Sequence, residues 1–174
     1  MYSSKIKALH NEYCELLDFC REYNQVSFEM YINNTYKKAL LLSAASYFET
    51  QITTAVHEFA SSVSKGNDSL VSLVDKKALD KQYHTLFDWE RSHANKFFGL
   101  FGEDFKKNAR TQINEKGLET AEKAFLEIGK ERNYLVHQNY IEFQIQSTFE
   151  EIYNRYETAC DFVEFIVQTL NDEV

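Results

Sequence analysis

The sequence contains no proline and only five glycines in 174 residues. A chain of this length and average usage carries about 9 prolines. Nothing here locks φ or removes a backbone donor, the two effects by which proline breaks a helix. Long helices suit such a chain; a many-turned β-sandwich does not, and collagen-like or proline-rich classes are excluded. Cysteine is scarce too. Cys14, Cys20 and Cys160 are odd in number and form no CxxC pair, which excludes a disulfide scaffold; a zinc site needs at least one tight ligand pair, and the sequence is read as holding none. They read as small, reduced, hydrophobic side chains, and no metal or other cofactor is expected. No run approaches the ~18 uninterrupted apolar residues of a membrane span. The segment Met1 to Asn11 lacks the apolar centre of a signal peptide. The expectation is a cytoplasmic protein with no membrane contact.

Hydrophobic residues make up 44% and charged residues 26% of the chain, enough for a sizeable core in one domain spanning 1–174. Aromatic residues reach 15% and fall mostly on helical stripes, as core rings do. The net charge of −8 opposes general nucleic-acid binding, which depends on counterion release at a basic surface. A local basic cleft remains compatible with it.

Apolar spacing of three and four residues divides the chain into helices. Residues 4–23 carry Ile6, Leu9, Tyr13, Leu16, Leu17 and Cys20 on one face, with Asn24 and Ser27 as breakers and Ser27 as the next cap. Residues 35–64 are apolar over most of a helix surface, which predicts a central helix ended by Gly66 as the left-handed residue, with Asp68 or Ser69 capping its successor. Residues 69–98 read as short, aromatic-rich helices, and Gly99 to Gly117 as a loop or short helical pieces. Residues 118–138 and 148–171 are clean amphipathic helices joined through Gln138–Ser147. The fold class is all-α: a single-domain antiparallel bundle of four to six helices.

One residue breaks the pattern. The stripe at 118, 121, 125, 128, 132 and 135 contains an arginine, Arg132. A charge there must find a partner or open onto a cleft. Asn133 and His137 are four apart and share a flank. Arginine and histidine at one cleft suit cleavage of a phosphodiester in RNA. Histidine titrates near neutrality and moves protons; the guanidinium fork fits phosphate oxygens and stabilises a phosphorane. The bland alternative is a helix-end histidine and an arginine paired to a core carboxylate such as Glu49.

Arg132-Asn133-x-x-x-His137 resembles the R-N-x-x-x-H form of the R-x(4–6)-H motif of HEPN domains, all-α proteins many of which are metal-independent ribonucleases in toxin–antitoxin, anti-phage and RNA-processing systems. The motif ends the penultimate long helix, as in that family. The segment Leu40-Leu41-Leu42-Ser43-Ala44-Ala45-Ser46-Tyr47-Phe48-Glu49 is similar to the second helix of the RiboL-PSP-HEPN branch, and the likeness spans roughly residues 35–172. The resemblance implies a homodimer with a composite site across the interface, Arg132 and His137 catalytic, Asn133 supporting them, and Glu49 facing the motif. It implies RNA as substrate and an antitoxin or defence-system protein as partner. Some HEPN toxins carry His-x-Tyr with a modifiable tyrosine. Here the string is His137-Gln138-Asn139-Tyr140, one residue longer, which departs from that mode of control.

Other residues carry weaker signals. Tyr134 and Tyr140 suit base stacking or interface packing. Lys106, Lys107 and Arg110 form the compact basic run, a solvated face by default and a source of RNA affinity otherwise. His57 reads as a core or edge histidine, His84 and His93 as surface residues around Trp89, and His10 as a polar-face residue of the first helix. The rival to the nuclease is a non-catalytic helical module that dimerises and binds a protein partner or RNA.

Overall fold

A computed structural model describes residues 3–138, 140 and 142–172. Among them lie eight α-helices, two more than the upper end of the expected range, and no strand. In chain order they are α1 (Ser4–Glu22), α2 (Val26–Val63), α3 (Asp68–Val74), α4 (Tyr83–Leu86), α5 (Asn95–Gly99), α6 (Glu103–Lys116), α7 (Glu119–His137) and α8 (Phe149–Asp172). A single π turn, Asp75–Leu79, follows α3 directly.

The additional helices come from the middle of the chain. The stretch read as a loop or short helical pieces, Gly99 to Gly117, holds the fourteen-residue α6. Its apolar signal is thin because the helix is polar overall and only Ala109 and Ile113 are buried on it. End signals specify it instead: Glu103 and Asp104 complement the helix N-terminus, and Gly117 at φ +66° stops it. α2 begins at Val26, so Ser27 lies inside the helix rather than capping it. The turn before it closes without glycine. Asn24 takes φ +52°, Gln25 N–H donates to Cys20 O at 2.7 Å and Asn24 N–H to Arg21 O at 3.2 Å, a paired ending that leaves no room for a separate cap. The end of α2 repeats this pattern with Lys65, not Gly66, as the first left-handed residue. Asn67, rather than Asp68 or Ser69, caps α3 by accepting from Leu70 N–H at 3.1 Å. α8 starts on a capping box: Thr148 Oγ1 accepts from Glu151 N–H at 3.1 Å, and Glu151 accepts from Thr148 N–H at 2.7 Å.

α2 runs through the centre, against α1, α7 and α8, as its all-round apolar surface requires. Leu40, Leu41, Ala44, Phe48, Ile52 and Ala55 on it are buried. An aromatic seam joins the three long helices: Phe48 meets Phe125 at 5.7 Å between ring centroids, and Phe125 meets Phe162 at 5.5 Å. Each such ring contributes about 1.5–3 kcal/mol by leaving water. The aromatic segment after α4 packs on the outside of this seam, with Phe87 edge-on to Phe125 at 5.0 Å. Cys20 and Cys160 are buried and Cys14 half-buried; all three are free thiols.

Candidate functional site

The C-terminal end of α7 is placed by contacts on both sides. From α8, Arg155 reaches Glu131 at 2.7 Å, Glu127 at 3.3 Å and Ser147 at 3.2 Å, fastening the last turns of α7 and the following connection together. From α2, Lys37 donates to Ile145 O at 3.0 Å and Lys38 to Tyr140 O. On the remaining side sits Trp89. Its ring lies so close to Gly129 that a Cβ there would fall 2.0 Å from a ring carbon. Only glycine permits that approach. Trp89 Nε1 donates to His84 O at 2.8 Å, which fixes the ring.

These contacts leave a small crevice lined by Phe48, Tyr83, His84, Trp89, Arg132 and Asn133, among others. Arg132 occupies its rim. Its Nη1 donates to Asn133 Oδ1 at 3.2 Å, and its Nη2 stands 4.0 Å from Glu49 Oε2. Arg132 keeps 32% of its side chain exposed and Glu49 42%. Glu49 is therefore not a core carboxylate, and the sealed ion pair of the bland alternative is absent. Beneath lies the buried Tyr83. Burial, and then the Glu49 carboxylate, push its hydroxyl well above the usual tyrosine range, while Arg132 pulls the other way. The hydroxyl stays protonated, a neutral floor for the crevice.

His137 is exposed in the last residue of α7. Five residues past Arg132, it lies about 7.5 Å further along the axis and roughly 140° around it. Tyr134 and Val136 are exposed between them, and Tyr140 beyond. Tyr134 hydrogen-bonds Glu90 at 3.1 Å, and the Tyr140 ring lies 4.8 Å beneath the Lys38 ammonium. Asn139 of the His137–Tyr140 string lies outside the described residues.

A family model described as RiboL-PSP-HEPN matches residues 8–172. The chain belongs to the RiboL-PSP-HEPN family. The match begins well before residue 35, so α1 is part of the HEPN domain rather than an addition to it. No curated protein and no solved structure matches the chain. No helix among the described residues is long and apolar enough to cross a membrane.

The structure thus brings Arg132, Asn133 and Glu49 together at one crevice, and leaves His137 and Tyr140 exposed beyond it, with His137 on a different flank of α7 from Arg132. It does not bring the basic run there. Arg110 is paired with Glu122, Lys106 lies 3.2 Å from Glu103, and Lys107 is exposed on α6. Sequence reasoning missed Tyr83, His84 and Trp89 as crevice residues. The available signal was Gly129, a glycine inside an apolar helical stripe, which marks a close approach by something large. His57 pairs with Asp75 at 2.8 Å on the surface, away from the crevice.

Proposed function

We propose that this HEPN chain is a metal-independent endoribonuclease of the cytoplasm, acting as a homodimer in toxin–antitoxin or anti-phage defence, with an antitoxin or defence protein as partner. The observation that carries the reading is the state of Arg132: on the rim of the crevice, half-exposed, and held among the described residues by Asn133 and a distant Glu49. Such a guanidinium rotates onto an incoming phosphate at little cost. In the proposed reaction a ribose 2′-oxygen attacks the adjacent phosphorus, and the bond to the 5′-oxygen breaks. His137 moves the proton from the nucleophile or to the leaving oxygen, and Arg132 stabilises the phosphorane. The products are a 2′,3′-cyclic phosphate and a 5′-hydroxyl. Asn133 orients the guanidinium. Glu49 acts as an accessory that keeps Arg132 at the rim.

The geometry of α7 supports the dimer. Arg132 and His137 leave one helix on different flanks, so two α7 ends meeting across a two-fold axis would set the arginine of one copy near the histidine of the other. Exposed Tyr134, Val136 and Tyr140 supply an apolar rim for that contact. Lys107 and Lys106 on α6 are offered as a secondary RNA contact, with Arg110 committed to Glu122. The second reading is a non-catalytic dimer that binds a protein or RNA, and the net charge of −8 favours its protein-binding form.

Cleavage of single-stranded RNA in EDTA, by the wild type and His137→Ala, separates the two. The nuclease predicts cleavage that persists in chelator and falls by about 10²–10⁴-fold in the variant. Activity that vanishes in EDTA and returns with magnesium overturns the mechanism. RNA bound but uncut by the wild type moves the function to the second reading. A monomer by sedimentation at micromolar concentration removes the composite site.

A further inference from the structure

α1 and the first turn of α8 carry a side-chain cluster that RNA chemistry does not use. His10 and Cys14 are four residues apart on α1 and stack on one face. The imidazole Nε2 lies 3.2 Å and 3.3 Å from the two carboxylate oxygens of Glu150, and Nδ1 lies 4.0 Å from Cys14 Sγ. One nitrogen, one sulfur and one oxygen, from the three residues in turn, all fall within 4.8 Å of one another. The ring is steadied by packing, 4.0 Å from the Tyr153 ring and 5.7 Å from that of Phe149.

We propose that His10, Cys14 and Glu150 form a binding site for one zinc-type divalent cation that staples α1 to the start of α8. Tetrahedral bonds of about 2.0 Å to nitrogen and oxygen and about 2.3 Å to sulfur set ligand atoms roughly 3.3–3.6 Å apart. The cluster needs a contraction of about 1 Å to reach that geometry, within the range of side-chain rotation. A mixed nitrogen, sulfur and oxygen donor set suits a borderline-soft cation of the zinc kind rather than magnesium or calcium. Three protein ligands leave a fourth position for water.

The same three residues also resemble a nucleophile, base and orienting carboxylate, and the surroundings decide against that role. Burial, then Glu150 and Asp18, push the Cys14 thiol above its usual value. A catalytic thiol needs the opposite. The carboxylates that disfavour a lone thiolate attract a dication, and the bound cation then displaces the thiol proton to solvent. The other two thiols do not compete, because Cys20 and Cys160 are buried and burial pushes Cys160 up to about 11.

The test is titration of the full chain with Zn²⁺, and with Co²⁺ as a spectroscopic probe. One equivalent should bind, Co²⁺ should show a thiolate-to-cobalt charge-transfer band, and Zn²⁺ should raise the melting temperature. Cys14→Ser should abolish the band and weaken Zn²⁺ at least about tenfold. Glu150→Gln should keep the band with weaker binding, and Cys160→Ser should change neither. His10→Gln is the second ligand variant, should Cys14→Ser fold poorly; it too should weaken Zn²⁺. A band that survives Cys14→Ser, or Zn²⁺ that binds none of these variants more weakly than the wild type, overturns the site. RNA cleavage is not a readout, so this result stands apart from the fate of the nuclease assignment.

Discussion

Arg110 and Arg132 both sit on amphipathic helices beside the aromatic core, and they are held in opposite ways. Arg110 is clasped by both oxygens of Glu122, at 2.6 Å and 3.2 Å, and that carboxylate is only 2% exposed. Glu122 also accepts from Ala94 N–H at 2.7 Å, so it joins α7 to α6 and the start of α5. Arg132 has a 3.2 Å neighbour in Asn133 and a carboxylate no nearer than 4.0 Å. Removing one partner of a buried pair strands the other in a medium that cannot solvate it. An exposed pair at 4 Å contributes about 0.2–1 kcal/mol. The neighbours of a guanidinium, not its type, thus sort it between holding the fold and standing loosely held at a surface.

The largest effect should follow Arg132→Ala. RNA cleavage is expected to fall by about 10²–10³-fold, the loss of one transition-state charge contact, while the melting temperature barely moves. Arg132→Lys should recover little, because an ammonium lacks the two-pronged fit to phosphate. Combined with His137→Ala, the loss should be far less than the product of the single losses. A variant that unfolds instead would make Arg132 another Arg110.

Glu122→Ala should do the reverse. Denaturant unfolding should show a loss of about 3 kcal/mol, the low end for a broken buried pair because Arg110 keeps some solvent. Cleavage per folded molecule should be unchanged. If stability holds and cleavage drops, Arg110 belongs to the RNA surface with Lys106 and Lys107.

Gly129→Ala lies between the two regions. Its methyl would drive the Trp89 ring off α7, at a cost of about 1–3 kcal/mol. Trp89 is the single tryptophan, so its fluorescence reports the displacement directly. Unchanged emission would mean that the crevice wall is not held by this contact.

The smallest effect concerns acid. Two hydrogen bonds from Thr148 hold the Glu151 carboxyl below its usual value of 4.5. A carboxylate with a lowered native value stabilises the fold above its unfolded value and loses that contribution as pH falls through the native one. The melting temperature should therefore decline below about pH 4.5, and Glu151→Gln should flatten that part of the decline. An unaltered acid profile would show that the box at the start of α8 does not govern it.

The long helices were legible because their signals are local. α1, α7 and α8 repeat apolar residues at three- and four-residue spacing, and each begins or ends within two residues of its expected place. α6 was not read as one continuous helix because it is polar overall and buries only Ala109 and Ile113. The motif was legible because Arg132 and His137 are neighbours along one helix. Glu49 was named both as a core partner of Arg132 and through the family segment, and its loose, half-exposed pairing was not foreseen. Trp89 and Tyr83 were invisible as site residues, since aromatic side chains in an irregular segment carry no record of what they will cover. The His10–Cys14–Glu150 cluster escaped for a related reason: two donors share a helix face, and the third arrives only when α8 packs against α1.

The amino-acid order by itself determined the helical class, the central place of α2 and the R-N-x-x-x-H string that marks this HEPN chain. Each of these is set by residues within a few turns of one another, where helix geometry alone fixes who faces whom. Packing decided the rest: which arginine is clasped and which stands at a rim, that Trp89 closes over Gly129, and that an imidazole, a thiol and a carboxylate meet between α1 and α8. Those outcomes depend on pairings between distant segments, selected by how the whole set of apolar faces is buried at once.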